Sequence, residues 1–330
     1  MAWRIELAES AVKELAKLDE QVKRRIIQYL RLAGLFSLFT NLKRRTRNPP
    51  SAFLWKSRGF WFILNDSMMR IIKNNMPWNI VINAPYRLVR DRIELIKKVD
   101  VGVEVYFNND VIDVVDDGHV KETGRILRGE GIECSVHAPF MDLSPGAVDK
   151  AVRGITKEKL KKTAAMANLL GAIGMVCHPG YDKWRFGEAA DLWLKGAVET
   201  FNEVLAAAGD GFPVMVENIF EEEPDTLYEL LRQFDKKNLH FCFDSGHFNL
   251  FTKVSLETWF SMLGNNIREM HLHDNYGKRD DHMPIGRGTF PFRELKAFLK
   301  AHRESLILTA EIHTEADAVE GIKNLKEYVA

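Results

Sequence analysis

Between residues 137 and 311, six side chains able to grip a cation or move a proton recur at intervals of about one strand-plus-helix unit. They are His137 (in VHAPF), His178 (CHPG), Glu217 (VENIF), Asp244 (FDSGH), His271 (MHLHDN) and Glu311 (AEIH), separated by 41, 39, 27, 27 and 40 residues. Each one closes a short apolar run. A charge at such a place is not ordinary core filler, because a buried ion must be paired or bound to metal. Taken singly, a strand-end histidine is often a hydrogen-bonded core residue and a lone glutamate often caps the next helix. Six in six consecutive runs read as one site at the C-terminal rim of a barrel. A mixed set of Glu, Asp and His suits Mn²⁺, Mg²⁺, Zn²⁺ or Co²⁺ and does not suit copper or iron–sulfur chemistry.

The elements that must position these residues follow from the pattern around them. From residue 79 onward, β-rich apolar runs alternate with longer amphipathic stretches, the signature of a parallel sheet with crossover helices. Eight such runs occur, at 79–83, 102–106, 132–137, 174–178, 213–217, 239–244, 267–273 and 306–311. Helical stripes lie between them, such as Leu88, Ile93, Leu95, Ile96 and Val99, or Leu227, Leu230, Leu231 and Phe234. Eight repeats in about 250 residues predict a closed (βα)8 TIM barrel. No glycine-rich phosphate loop follows the first run, which argues against a dinucleotide-binding sheet.

Composition sets outer bounds. The chain has 330 residues, 46% hydrophobic and 28% charged, enough to bury a barrel-sized core. The formal net charge of zero conceals an asymmetry: residues 1–75 carry +9 and the remainder −9. A negative barrel without a basic stripe is poorly suited to tracking a phosphate backbone. Cys134, Cys177 and Cys242 lie in apolar runs without metal-type spacing and read as small core residues of a reduced compartment. The N-terminus is charged at once and offers no signal-peptide core, and the apolar run 32–39 is too short to span a bilayer, so a cytoplasmic location is expected.

The strand endings E-N, D-x-G-H, H-x-x-D and E-x-H, in this order and spacing, resemble the xylose isomerase-like superfamily, which includes sugar epimerases, isomerases and endonuclease IV-type repair enzymes. The likeness covers about residues 79–328. It implies that Glu217, Asp244, His271 and Glu311 bind one divalent ion and that Glu217 and Glu311 form an acid/base pair for isomerising or epimerising a small sugar or sugar phosphate. His247 and His178 would then contact substrate oxygens, and Glu104, Asn218 and His273 would line the pocket. For Glu104, a pairing with a neighbour is equally open, and His273 shares a strand face with His271 and could replace it as ligand. His313 and Trp184 would border the opening. Lys278, Arg279 and Arg287 are candidate phosphate partners.

An alternative rests on the same residues and one loop. Residues 278–286 (KRDDHMPIG) resemble the Asp-x-His loop of endonuclease IV-type enzymes. Adding His137, His178, His247, Asp280 and His282 to the four core ligands gives a candidate for each of nine positions in a multi-zinc centre that cleaves abasic DNA. Spacing alone does not separate Asp280 from Asp281. Phe140 stands where the repair enzymes usually offer tyrosine, and no basic DNA-penetrating loop is apparent, so nucleic acid is a partner only under this alternative. Barrels of this superfamily often form homo-oligomers, yet nothing here locates an interface.

Residues 1–75 are a different kind of sequence. The opening WRIELAESAVKELAKLDEQVKRRIIQYL resembles the N-terminal strand and helix hairpin of RelE/ParE-type toxins, with two helices expected over residues 10–30. Beyond residue 32 the pattern is lost, and a basic KRRTRNPPSAFLW stretch stands where those toxins carry a catalytic antiparallel sheet. The expectation is a small, mainly helical extension, a remnant inactive as a ribonuclease, joined to an enzyme over residues 76–330 whose older start is Met76.

Overall fold

A computed structural model describes residues 6–7, 52–57, 60–65, 78–234, 238–301 and 306–329. The chain divides into two compact units, Met1–Met76 and Pro77–Ala330.

In the first unit β1 (Glu6–Leu7), β2 (Ala52–Ser57) and β3 (Phe60–Asn65) form an antiparallel sheet in the order β1-β2-β3. Ala52 pairs with Asn65 and Ser57 with Phe60. The sequence reading, which expects a mainly helical extension, recognises no sheet after residue 32, and β2 and β3 lie there. The runs AFLWKS and FWFILN are rich in aromatic residues that favour strands, but they are apolar on both faces and lack the alternation that marks a half-buried strand. The helices expected over residues 10–30 lie outside the described residues.

In the second unit eight parallel strands close into a barrel. They are β4 (Trp78–Pro85), β5 (Gly102–Tyr106), β6 (Cys134–His137), β7 (Met175–Cys177), β8 (Val214–Glu217), β9 (Leu239–Asp244), β10 (Ile267–Leu272) and β11 (Leu306–Ala310), with β11 pairing back onto β4. Among the described residues the longer helices after the strands are α1 (Ile93–Val99), α2 (Asp117–Glu130), α3 (Lys150–Leu170), α4 (Ala190–Ala208), α5 (Asp225–Arg232), α6 (Leu256–Leu263), α7 (Phe292–Ala301) and α8 (Glu315–Val329). This is the (βα)8 TIM barrel that the repeats predict.

Local chemistry sets the helix ends. Asp149 accepts from the backbone N–H groups of Ala151 and Val152 at 2.7 and 3.2 Å, satisfying donors that have no intrahelical partner at the start of α3. The helix stops at Gly171, whose φ of +74° is left-handed and costs glycine little. One stretch departs from expectation. The stripe from Leu88 to Val99 is not one helix but a short helix (Tyr86–Val89), a 3₁₀ turn (Arg90–Arg92) and α1. The tighter 3₁₀ pitch rotates the apolar face, so Val89 and Ile96 are buried while Leu88 is 43% exposed.

Strands and helices enclose the main core, where Trp193, Phe201, Phe241, Phe243 and Trp259 are fully buried. Removing such large side chains from water stabilises the barrel by roughly 1.5–3 kcal/mol each. A second apolar cluster, Val176, Met215 and Cys242, sits on the interior face of β7, β8 and β9. Side chains alternate across a strand, so Met215 shares its face with Glu217, and Cys242 with Asp244. On these three strands the interior is therefore layered, with apolar residues below and ionisable groups above.

Candidate metal centre

The barrel brings the six strand-end residues to one mouth. Parallel register sets Asp244 beside His271 across β9 and β10, and His271 beside Thr309, two residues before Glu311. Ligand atoms of Glu217, Asp244, His271 and Glu311 all lie within 4.8 Å of one another. His271 is the hinge of the set: its Nδ1 is 3.2 Å from Glu311 Oε2, 3.5 Å from Glu217 Oε2 and 3.8 Å from Asp244 Oδ2.

Glu217 is 1% exposed and surrounded by imidazoles. Its Oε2 is 3.1 Å from His137 Nε2 and 3.4 Å from His178 Nε2, and its Oε1 is 3.1 Å from His247 Nδ1. His137 donates its other ring N–H to the carbonyl of Ala138 at 2.8 Å, which turns Nε2 toward the glutamate. His247 also approaches Asp244 Oδ1 at 3.3 Å and Asp280 Oδ2 at 3.4 Å. Asp280 Oδ2 in turn accepts from His282 Nε2 at 3.0 Å. Asp280 is thus the aspartate of the Asp-x-His loop, whereas Asp281 lies 3.9 Å from Arg279.

Carboxylates and imidazoles shift one another's protonation. Burial alone would raise the pKa of Glu217, but His271, His178 and His137 hold it well below the usual carboxylate range. Glu311 is held low in the same way, chiefly by His271. Burial works against the charged form of His137, yet the hydrogen bond to Glu217 and the charges of Glu104 and Glu217 take it up to about 9. Against burial, His247 is pushed well above its ordinary value by Asp244, Asp280 and Glu217, and His271 by Cys242, Glu104, Glu217 and Glu311. Desolvation prevails at His178, which is lowered.

Donor chemistry fits a divalent cation. Among the described residues, the buried atoms His247 Nδ1, His271 Nδ1, His273 Nδ1 and Glu311 Oε2 make no hydrogen bond. Buried polar atoms are rarely left so, and His271 Nδ1 and Glu311 Oε2, 3.2 Å apart, are atoms that an ion beside them would satisfy. His137, His178 and Glu217 form a second compact group around the shared glutamate. His273, His282 and Glu311 are equally close, but the rings of His273 and His282 stack 4.1 Å apart at 9°. Lone pairs lie in the ring plane, so two parallel stacked imidazoles cannot both aim at one ion, and we do not read this group as a site.

Other expected residues fall behind the ligands. Glu104, Asn218 and His273 are 0–2% exposed. Asn218 braces Asp244 through both its backbone groups, donating to the carbonyl at 3.0 Å and accepting from the N–H at 2.8 Å. His273 Nε2 is 2.9 Å from Asp244 Oδ2. All three are therefore engaged with the rim residues, Glu104 through His271 Nε2 at 3.1 Å. His313 stacks on His282 at 3.6 Å. Trp184 is 86% exposed, with Lys183 over its ring. Arg287 is engaged by Asp317 and Glu320 and so is not a free phosphate partner.

Asp274 is a determinant that the sequence reading used only for register. Its carboxylate accepts from the backbone N–H groups of Asn275, Gly286, Gly288 and Phe290 at 2.8–3.1 Å, folding the loop that carries Asp280 and His282. The Asp-x-x-x-x-x-Asp-x-His spacing carries no hint of this, because the partners are backbone groups.

The fold is a closed parallel barrel whose mouth carries imidazoles and carboxylates. The chain belongs to the xylose isomerase-like TIM barrel family, whose profile matches residues 101–328. The uncharacterized protein MJ1311 of Methanocaldococcus jannaschii is 31% identical over 206 residues, 60% of this chain and 70% of that protein. The probable endonuclease 4 of Symbiobacterium thermophilum is 29% identical over 185 residues, 50% of this chain and 66% of that protein. Among solved structures, a D-tagatose 3-epimerase-like protein superposes with a TM-score of 0.66 at 27% identity, covering 76% of this chain and 97% of its own. Among the described residues no helix is long and apolar enough to cross a membrane.

Proposed function

We propose that this chain is a divalent-metal-dependent isomerase or epimerase of a small sugar or sugar phosphate. The observation that carries this reading is the convergence of two glutamates from non-adjacent strands on one nitrogen: Glu217 and Glu311 stand 3.5 and 3.2 Å from His271 Nδ1. Glu217, Asp244, His271 and Glu311 would hold a Mn²⁺, Zn²⁺, Mg²⁺ or Co²⁺ ion, which when bound would polarise a carbonyl and acidify the neighbouring C–H. Changing the configuration at that carbon needs a base on one face and an acid on the other. The two come from separate strands, so one, as the carboxylate, would take the proton from carbon while the other, in its protonated form, would return a proton to the opposite face. His178 and His247, 16% and 12% exposed, are open enough to meet substrate hydroxyls. Similarity to the D-tagatose 3-epimerase-like protein supports the substrate class.

One observation favours a second reading, an endonuclease IV-type apurinic/apyrimidinic DNA endonuclease. Both oxygens of Glu217 face imidazoles, and Asp280 stands between His247 and His282, so these carboxylates would serve more than one zinc ion. Bridged zinc chemistry is typically that of phosphodiester hydrolysis.

Metal content and two assays on the full-length protein separate the readings. One exchangeable ion per chain with turnover of ketoses in Mn²⁺ or Co²⁺ supports the first. About three zinc ions per chain with cleavage of abasic duplex supports the second. A protein that takes up no divalent metal overturns both.

A further inference from the structure

Beneath the mouth, the barrel interior carries a polar layer that neither reading uses: Asn83, Glu104, Ser135, Glu269 and Thr309. Glu104, Ser135, Glu269 and Thr309 have no exposed surface. Barrel interiors are ordinarily filled by branched apolar residues. Two carboxyl groups at this depth call for a physical role.

The arrangement converges on His271. Its Nε2 lies 3.1 Å from Glu104 Oε2, while its Nδ1 faces Glu311, Glu217 and Asp244 at the mouth. Glu104 is itself held, because Asn83 on the neighbouring strand donates from Nδ2 to its Oε1 at 2.8 Å. Glu269, two residues before His271 on the same strand face, accepts from Thr309 Oγ1 at 2.6 Å and from Ser135 Oγ at 3.2 Å. An imidazole that binds a metal must offer a lone pair on one nitrogen, and the partner of the other nitrogen decides which.

The geometry points to Glu104 as the positioning residue of the metal centre. It takes the Nε2–H of His271, fixes the ring's rotation and tautomer, and so leaves the Nδ1 lone pair for the ion. Asn83 fixes Glu104, and Glu269, secured by Ser135 and Thr309, fills the space beside it. This role rests on the metal-dependent reading above. Ligand atoms of Glu104, Glu269 and His271 also lie within 4.8 Å of one another. An ion held there would take the Nε2 lone pair and leave Nδ1 protonated, so the two occupants of the layer predict opposite tautomers.

The test uses full-length protein stripped of metal and reloaded with zinc against a competing chelator. Glu104→Met, of similar length but with no acceptor, is expected to weaken zinc binding by about 10–100-fold. Glu104→Gln retains an oxygen that accepts from Nε2–H and is expected to lose less. Zinc affinity of a folded Glu104→Met within about twofold of the parent overturns the assignment while leaving the metal centre intact. Parent protein that binds no zinc defeats the underlying reading instead. Should Glu104→Met not fold, two-bond ¹H–¹⁵N spectra of the parent decide. In the zinc-loaded form, Nε2–H at His271 with the metal on Nδ1 supports the role, and metal on Nε2 overturns it.

Discussion

Gly246 lies directly under the imidazole of His273: a Cβ at position 246 would sit 2.0 Å from His273 Cε1. The ring cannot retreat, because it is fully buried, its Nε2 is 2.9 Å from Asp244 Oδ2, and its backbone N–H donates to Ser245 Oγ at 3.0 Å. The Asp-x-Gly-His motif is thus a cradle for the residue that follows β10.

Gly246→Ala is therefore expected to destabilise by about 1–3 kcal/mol through overpacking and to weaken metal binding by moving Asp244. Gly154→Ala in α3, where a Cβ would meet nothing within 4 Å, is expected to be neutral or to stabilise by up to about 1 kcal/mol. Thermal melts of the two variants check this, and equal losses would show that the cradle does not constrain the site.

Metal binding should release protons. His137 is raised to about 9, and His247 and His271 stand well above their ordinary value, so the metal-free imidazoles carry protons at pH 7 that an ion must displace. Apparent affinity is expected to rise from pH 6 to pH 9, and calorimetry in buffers of different ionisation enthalpy should show the protons leaving. In the metal-free protein the sign for stability is opposite. A raised histidine contributes stability that is complete below about 6.5 and fades as pH rises through about 9. A pH-independent affinity would contradict the prediction.

Glu221 should make the protein less stable as pH rises. It is 4% exposed, and burial takes it up to about 7 despite the Ile219 N–H that it accepts at 2.6 Å. The folded state then binds the proton more tightly than the unfolded chain, so stability is complete below about 4.5 and is lost toward pH 7, by roughly 3 kcal/mol. Glu221→Gln removes this dependence, and its melting temperature should gain on the parent between pH 5 and pH 8. A constant difference across that range would refute the assignment.

The three thiols should be inert in the native protein. Cys134, Cys177 and Cys242 are buried and free, and burial takes Cys134 up to about 12 and raises the other two. Reactivity follows the thiolate, so a disulfide reagent is expected to modify none of them until denaturant is added. Rapid modification of the native protein would place a thiol at an open surface.

By itself the sequence determined the barrel and its rim. Alternation with period two tells which side chains share a strand face, and spacing by whole βα units tells that His137, His178, Glu217, Asp244, His271 and Glu311 end successive strands. Both are one-dimensional signals and need no knowledge of what lies across the barrel. Tertiary structure alone decided the rest: that Asp280 rather than Asp281 reaches His247, that Glu104 meets His271 over 167 residues of chain, and that Asn218 and His273 stand behind Asp244. Those are distances set by closure and by loop folding around Asp274, and no periodicity along the chain encodes them.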